Sequence, residues 1–304
     1  NANAGTTLDV VAGNDIDGPD VTAVERVTLH AQTGSILNTN ATSTAADVDL
    51  DAGTDIVATD ANAETFVDGV AGNSIIGGSF TANAENVTLL AETGDIDGSQ
   101  VNAATFADLQ AQMDIDGAVV DAGTLATLFA AEGSLLNTTA TSVTDMVFLE
   151  AGADIVNTDA NAELLVSGFA GGSIVGGSFV ANTDSVLLFA EGEDIDGAHV
   201  NAAMFADLLA QQDIDGVSVD AGSTATLNAL NGSITSSSVT STGANVLLTA
   251  GTDISATDVS ALTDIDAGAV DAINTSSFMA EIGNLYIEAT AGDIVGSTFY
   301  AKGQ

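Results

Sequence analysis

The chain of 304 residues lacks cysteine and tryptophan, has one proline, and carries a permanent positive charge only at Arg26 and Lys302. Without cysteine, a disulfide framework and a thiolate metal site are both excluded. Aromatic residues make up 4% of the chain, and Ala, Val, Ile and Leu supply most of the 46% hydrophobic content, which indicates a narrow core. Since Pro19 is accompanied by 32 glycines, the turns must be formed by Gly, Asn and Asp.

The missing positive charge leaves 43 acidic residues almost unopposed, for a formal net charge of −41. Nucleic acids and anionic membrane surfaces would be repelled, and divalent cations are the natural counterpart. No apolar run is long enough to span a bilayer, so we expect no membrane insertion.

A repeat of about 20 residues runs through the sequence. In each copy an aliphatic residue, here called the leading residue, follows Asp or Ser, and Ile273 after Ala272 is the one exception. The leading residues are Ile16, Ile36, Ile56, Ile75, Ile96, Ile115, Leu135, Ile155, Ile174, Ile195, Ile214, Ile234, Ile254, Ile273 and Ile294. The spacing between successive leading residues is 20, 20, 19, 21 and 19 residues, and this order then repeats. Five copies therefore form one super-repeat.

The super-repeat predicts a solenoid, because a duplicated unit persists only when it stacks on a copy of itself. VNAATFADLQAQMDIDG from Val101 returns as VNAAMFADLLAQQDIDG from Val200. We therefore predict a single solenoid over residues 1–304, built from super-repeats 16–114, 115–213 and 214–304.

Each copy contains three short segments with period-two alternation, which is typical of strands with one buried face. In the copy from Ile174 the inward positions are Phe179, Ala181, Val186, Leu188 and Ala190. Because one such coil cannot pair its own strand edges, coils must stack at about 4.8 Å. The prediction is an all-β parallel solenoid of about 15 coils of 19–21 residues, three strands each, in a rod of about 70 Å.

Two details follow from this phase. The segment MFADLLA at 204–210 has a helical composition, yet Ala206, Leu208 and Ala210 lie in phase with the V-x-L-x-A segments, which favours a strand. Phe80, Phe179, Phe278 and Phe299 occupy one inward position and are interpreted as core residues.

The pattern VxLxAG-DI, as in VDLDAGTDI from Val48 and VLLTAGTDI from Val246, resembles the filamentous-haemagglutinin-like repeats of secreted bacterial adhesins. The resemblance extends over nearly the whole chain. It implies a right-handed parallel β-helix that is exported to the bacterial cell surface or beyond, with cell-surface glycans among the possible partners.

The motif DIDG gives the chain its most suggestive chemistry. Its two Asp side chains flank a buried Ile and point outward about 7 Å apart, and two pairs of motifs stand on consecutive coils. Repulsion between neighbouring carboxylates would be relieved by a hard cation with oxygen ligands. We therefore predict two Ca²⁺ patches, with a soluble acidic exterior as the alternative. The predicted ligands are Asp95, Asp97, Asp114 and Asp116 in one patch, and Asp194, Asp196, Asp213 and Asp215 in the other.

Enzymatic chemistry finds little support in the residue pattern. Paired carboxylates could serve a glycan-active enzyme, but an acidic surface contains such pairs in any case, and exposed aromatic platforms are not evident. His30 and His199 occupy unrelated phases and are interpreted as surface residues. No Walker loop or dinucleotide-binding glycine motif precedes a helix. We therefore expect no catalytic residues and no organic cofactor.

The expected function is structural: an extracellular filament or adhesin stalk that associates head to tail or within a longer repetitive chain. A Ca²⁺-responsive adhesion module is the alternative, and a glycan-active enzyme is a more distant one.

Overall fold

The computed structural model describes residues 1–302, and their regular structure consists entirely of 46 short strands. No helix that could cross a membrane occurs in this part of the chain. Three strands make one coil, and about 15 coils follow one another along the sequence. The predicted fold class, an all-β parallel solenoid with three strands per coil, is confirmed.

The chain forms two compact units, Asn1–Gly152 and Ala153–Gln304. The first contains β1 (Ala2–Ala4), β2 (Leu8–Ala12), β3 (Ile16–Asp17), β4 (Asp20–Ala23), β5 (Val27–Ala31), β6 (Ile36–Leu37), β7 (Asn40–Ser43), β8 (Val48–Ala52), β9 (Ile56–Val57), β10 (Asp60–Ala63), β11 (Val67–Ala71), β12 (Ile75–Ile76), β13 (Ser79–Ala82), β14 (Val87–Ala91), β15 (Ile96–Asp97), β16 (Gln100–Ala103), β17 (Phe106–Ala111), β18 (Ile115–Asp116), β19 (Val119–Ala122), β20 (Leu125–Ala130), β21 (Leu135–Leu136), β22 (Thr139–Ser142) and β23 (Val147–Ala151).

The second unit contains β24 (Ile155–Val156), β25 (Asp159–Ala162), β26 (Val166–Ala170), β27 (Ile174–Val175), β28 (Ser178–Ala181), β29 (Val186–Ala190), β30 (Ile195–Asp196), β31 (His199–Ala202), β32 (Ala206–Ala210), β33 (Ile214–Asp215), β34 (Ser218–Ala221), β35 (Ala225–Ala229), β36 (Ile234–Thr235), β37 (Ser238–Ser241), β38 (Val246–Ala250), β39 (Ile254–Ser255), β40 (Asp258–Ala261), β41 (Ile265–Ala269), β42 (Ile273–Asn274), β43 (Ser277–Ala280), β44 (Leu285–Ala289), β45 (Ile294–Val295) and β46 (Thr298–Ala301). The predicted super-repeats do not coincide with the unit boundary, and the single solenoid over 1–304 stays a prediction.

In each unit every third strand joins the same sheet. Sheet I contains the strands of the type DANA or SFTA, sheet II the V-x-L-x-A strands, and sheet III the short strands of the leading residue. All pairs are parallel, and residues at the same position in the repeat are partners. Ile96 lies beside Ile115 in the first unit, and Ile195 beside Ile214 in the second. The stacking of leading residues, on which the sequence interpretation depended, is therefore confirmed.

The core of each unit is formed by the inward positions of the three sheets. Phe80, Phe179 and Phe278 are at most 1% exposed, as predicted, whereas Phe299 in the last described coil is 47% exposed. A small residue on the preceding sheet II strand lies beside the ring. A Cβ added to Gly69 would lie 2.9 Å from the Leu89 side chain and 4.0 Å from the Phe80 ring. Gly69 therefore leaves room for Leu89, and a larger side chain at this position would extend toward Phe80.

The stretch with a helical composition is a strand. Ala206–Ala210 forms β32 of sheet II, with Ala206, Leu208 and Ala210 buried and the two residues between them facing outward. Tertiary pairing on both sides outweighs the helical propensity of the isolated sequence. The prediction from phase is confirmed.

One turn position, the second after the leading residue, has positive φ in every coil. Glycine occupies this position in most coils, and asparagine occupies it in three, as Asn38, Asn137 and Asn157. Ala58 (φ 46°), Ala256 (φ 50°) and Thr275 (φ 47°) adopt the same left-handed conformation, in which a side chain is strained. The stack therefore imposes this turn even where the residue does not favour it.

Candidate functional site

The eight predicted metal ligands lie where the repeat placed them. Asp97 is the register partner of Asp116, and Asp196 that of Asp215, each pair on adjacent strands of sheet III. Within residues 1–302, however, no group of three or more Asp, Glu or His side chains converges as a metal site would require. The register therefore pairs Asp97 with Asp116 and Asp196 with Asp215, while the four-carboxylate patches and their occupation by Ca²⁺ stay predictions.

The first Asp of each DIDG motif has a structural role. Its Oδ1 accepts the backbone N–H of the residue at the same position in the next coil, at 3.0 Å from Asp95 to Asp114 and 2.7 Å from Asp114 to Ser134. In the second unit, Asp194 accepts from Asp213 at 2.8 Å and Asp213 from Ser233 at 2.6 Å. These carboxylates satisfy main-chain donors at a corner where no sheet partner is available.

Serine performs the same task in the coils that lack this Asp. The Oγ of Ser74 accepts the N–H of Asp95 at 3.1 Å, and the Oγ of Ser173 accepts that of Asp194 at 3.3 Å. The resulting column, here called the Asp/Ser ladder, joins Asp15, Ser35, Asp55, Ser74, Asp95, Asp114 and Ser134 in the first unit, and Asp154, Ser173, Asp194, Asp213, Ser233, Asp253 and Ala272 in the second. Only Ala272, which is the exception in the sequence, lacks a side-chain oxygen.

The second Asp of the motif accepts a hydrogen bond from a side chain in some coils. Asp116 accepts from the Asn137 amide at 3.0 Å, and Asp215 accepts from the Thr235 hydroxyl. Asp97 and Asp196 are exposed. The patches thus combine carboxylates that accept main-chain N–H groups with carboxylates that do not.

A different group of charges lines a groove of about 890 Å³ on the outer face of sheet II in the first unit. Arg26 Nη2 lies 2.8 Å from Asp47 Oδ2, and its Nε lies 3.4 Å from Asp49 Oδ2. His30 Nδ1 lies 2.8 Å from Asp51 Oδ2. The one arginine of the chain and one of its two histidines therefore meet carboxylates from the next coil.

Acids in and next to this groove experience different environments. A hydrogen bond from Thr65, followed by one from Arg26, lowers the pKa of Asp47. Burial raises the pKa of Asp49, although Arg26 opposes the effect, and burial followed by the charge of Asp51 raises the pKa of Asp68. The Asp47 carboxylate, which lines the groove, is therefore held ionised, whereas Asp49 and Asp68 outside the lining retain a proton more readily.

The sequence interpretation of His30 as an isolated surface residue missed this arrangement. His30 and Asp51 are register partners on adjacent strands, and Arg26 and Asp47 are separated along the chain by the same single step of the repeat. A search for charged partners one coil away would have found both pairs.

Part of the outer face of sheet II in the second unit is apolar. Phe169, Phe189 and Leu209 stand at equivalent outward positions of β26, β29 and β32. The rings of Phe169 and Phe189 are 5.1 Å apart at an interplanar angle of 40°. Two grooves of about 390 and 320 Å³ share Leu187 and Asp207. Large apolar side chains are therefore gathered on a surface that the sequence interpretation expected to lack them.

Aromatic residues outside the core are more numerous than expected. Seven of the eleven phenylalanines lie at corners or outward positions: Phe66, Phe106, Phe129, Phe148, Phe169, Phe189 and Phe205. The signal was present in the sequence, because only four phenylalanines occupy the inward position.

Two acceptors on the same faces lack partners. Among residues 1–302, the side-chain atoms that are buried without a hydrogen bond are Asp108 Oδ1 and Asn228 Oδ1. Burial also raises the pKa of both Asp108 and Asp207, which occupy equivalent positions in successive super-repeats. Polar groups on the outer face of sheet II are thus partly withdrawn from water without full compensation.

Comparisons with protein-family models, with curated proteins and with solved structures gave no match. The fold, a repetitive parallel β-solenoid, and the geometry of its surfaces are therefore the basis for any functional inference.

Proposed function

We propose that this chain is a structural segment of a bacterial extracellular filament or adhesin stalk. The observation that carries the proposal is that each described coil consists of the same three strands and corners, without an inserted loop. Loops displayed on a scaffold are the usual carriers of catalytic residues. In a chain without such loops, nearly all residues contribute to the stacked coils.

The Asp/Ser ladder supports the same proposal. It adds a side-chain hydrogen bond between successive coils to the three parallel sheets, at a corner that would otherwise expose main-chain donors. In a solenoid, stability comes from interfaces between neighbouring repeats, so a bond that recurs from coil to coil strengthens the stack. The resemblance of the VxLxAG-DI pattern to filamentous-haemagglutinin-like adhesin repeats agrees with this role.

Self-association is part of the proposal. Neighbouring coils pair through parallel strands with like residues in register, as Ile96 does with Ile115 and Ile195 with Ile214. Coils of a second copy carry the same pattern and can pair in the same way.

Insertion of a second copy of residues 115–213 tests the structural role. We expect a folded protein whose stack is longer by five coils, or about 24 Å at the usual strand spacing, as measured by small-angle scattering and electron microscopy. An insertion that unfolds the chain, or that leaves its maximum dimension unchanged, would contradict the proposal. Antibody labelling of intact cells that produce the protein, with a cytoplasmic marker as control, tests the surface location.

A second candidate function, hydrolysis of a neutral glycan, is favoured by one observation. Asp49 and Asp68 are register partners on adjacent strands, and burial raises the pKa of both. Strand spacing of about 4.8 Å approaches the carboxyl separation of retaining glycosidases. Release of reducing ends by the wild type and by Asp121→Asn on sheet I, but not by Asp68→Asn, would establish this activity. Equal signals from all three proteins would exclude it.

A further inference from the structure

The apolar outer face of sheet II in the second unit, here called the Phe189 face, consists of Phe169, Leu187, Phe189 and Leu209. These residues are contributed by three successive strands, and a continuous apolar surface of this kind marks an interaction site more often than a solvated one. Leu187 is 40% exposed. Nothing in the described chain packs over this face.

Two hydrogen-bond acceptors border the Phe189 face. Asp207 is the register partner of Leu187 on one side and of Thr226 on the other, and Asn228 is the partner of Leu209. The Oδ1 of Asn228 is buried without a donor, and no described residue donates to the Asp207 carboxylate, whose pKa is raised by burial alone. The edge of the apolar face therefore holds two side-chain oxygens that receive no hydrogen bond within the described chain.

The first unit shows what fits beside this carboxylate. Asp108 is the equivalent of Asp207 in the preceding super-repeat, and Gln110 occupies the position of Leu209. The Gln110 amide donates to Asp108 Oδ2 at 2.9 Å. In the second unit, Leu209 replaces that internal donor by an apolar side chain, so Asp207 can receive a donor from outside the chain.

A second copy of this chain is poorly suited to supply that donor. Two facing copies would bring acidic surfaces of net charge −41 together, and each offers only Arg26 and Lys302 as permanent cations. A partner that combines apolar groups with positive charge can cover the Phe189 face and also pair with the Asp207 carboxylate. We propose that the Phe189 face binds a basic, amphipathic polypeptide segment, whose apolar side chains cover Phe189 and Leu209 and whose Lys or Arg donates to Asp207.

An amphipathic peptide of Lys and Leu, labelled for fluorescence anisotropy, tests the proposal at about 150 mM salt, with a Glu and Leu peptide of the same pattern as control. We expect saturable 1:1 binding of the Lys peptide only. Loss of a charged partner in the site should weaken binding about tenfold in Asp207→Asn. Leu209→Gln, which installs the residue of the first unit, should weaken it similarly, because its amide can occupy the carboxylate.

Asp108→Asn is the matched control, since it removes the same charge at the equivalent position of the other unit and should leave the affinity within twofold of wild type. Circular dichroism and Tm verify that each variant is folded. Equal affinities for Asp207→Asn, Leu209→Gln and Asp108→Asn would mean diffuse electrostatic attraction and would overturn the proposal. Sedimentation showing a dimer that Leu209→Gln dissociates would also overturn it, because a second copy would then occupy the face.

Discussion

Removal of one carboxylate from the Asp/Ser ladder should lower the stability of the protein more than removal of the carboxylate two residues later. Asp114→Ala deprives the Ser134 N–H of its acceptor at 2.7 Å, whereas Asp116→Ala loses only an exposed bond to the Asn137 side chain. Both variants remove one negative charge from the same patch, so the change in repulsion largely cancels in their comparison. A hydrogen bond to a charged acceptor contributes about 1.5 to 3 kcal/mol.

For a unit of about 150 residues, this difference corresponds to a Tm for Asp114→Ala that is roughly 3 to 10 °C below that of Asp116→Ala. Hydrogen exchange provides a local readout, because the Ser134 amide should lose protection in Asp114→Ala alone. Asp114→Ser should recover part of the loss, since serine accepts the same bond elsewhere in the ladder. Equal Tm values for the two alanine variants, with unchanged exchange at Ser134, would refute the structural role of the ladder.

Four further outcomes are expected. Phe80→Ala should destabilise the protein by about 3 to 5 kcal/mol, and Gly69→Leu should destabilise it by overpacking. In a double-mutant cycle measured by denaturation, the variant with both changes should lose less stability than the two single losses added together. Ala58→Gly should raise stability by about 1 kcal/mol and Gly98→Ala lower it by a similar amount, because both stand at the left-handed turn position. Burial raises the pKa of Asp68 in the folded state above its unfolded value. The stability linked to this group is therefore full below the unfolded pKa and is lost as pH rises through the folded pKa. We expect Asp68→Asn to raise Tm at pH 7 and to have a smaller effect near pH 4. Isothermal calorimetry with Ca²⁺ should show saturable heat at physiological salt if the predicted patches bind the ion, and its absence would remove the Ca²⁺ hypothesis.

The repeat period was sufficient to predict the stacking, because a parallel solenoid places each residue beside the one at the same position in the next coil. It brought Ile96 next to Ile115 and identified Ala206–Ala210 as a strand despite its helical composition. The same arithmetic would have paired His30 with Asp51. That pair was missed because partners were sought at ligand spacing within one segment and not one coil away.

The role of the DIDG carboxylates could not be predicted in the same way. Alternation correctly placed both side chains outside the core, but whether a carboxylate meets a cation or an amide depends on the local path of the backbone. At this corner the N–H of the next coil lies within hydrogen-bonding distance of the first carboxylate, as for Asp95 and Asp114. The interchange of Asp and Ser before the leading residue is explained by the side-chain oxygen acceptor that both provide.

Divergence between super-repeats separates the residues that stack from those that are free to change. Leu89 and Leu188 stand at the same inward position of sheet II in successive super-repeats and are identical, because each must fill the same space in the core. The outward residues that follow them, Leu90 and Phe189, differ. A duplicated solenoid can therefore alter what its surface binds without altering what its coils pack against. New binding chemistry in this chain is then expected where copies differ on the outer face of sheet II, as at the Phe189 face.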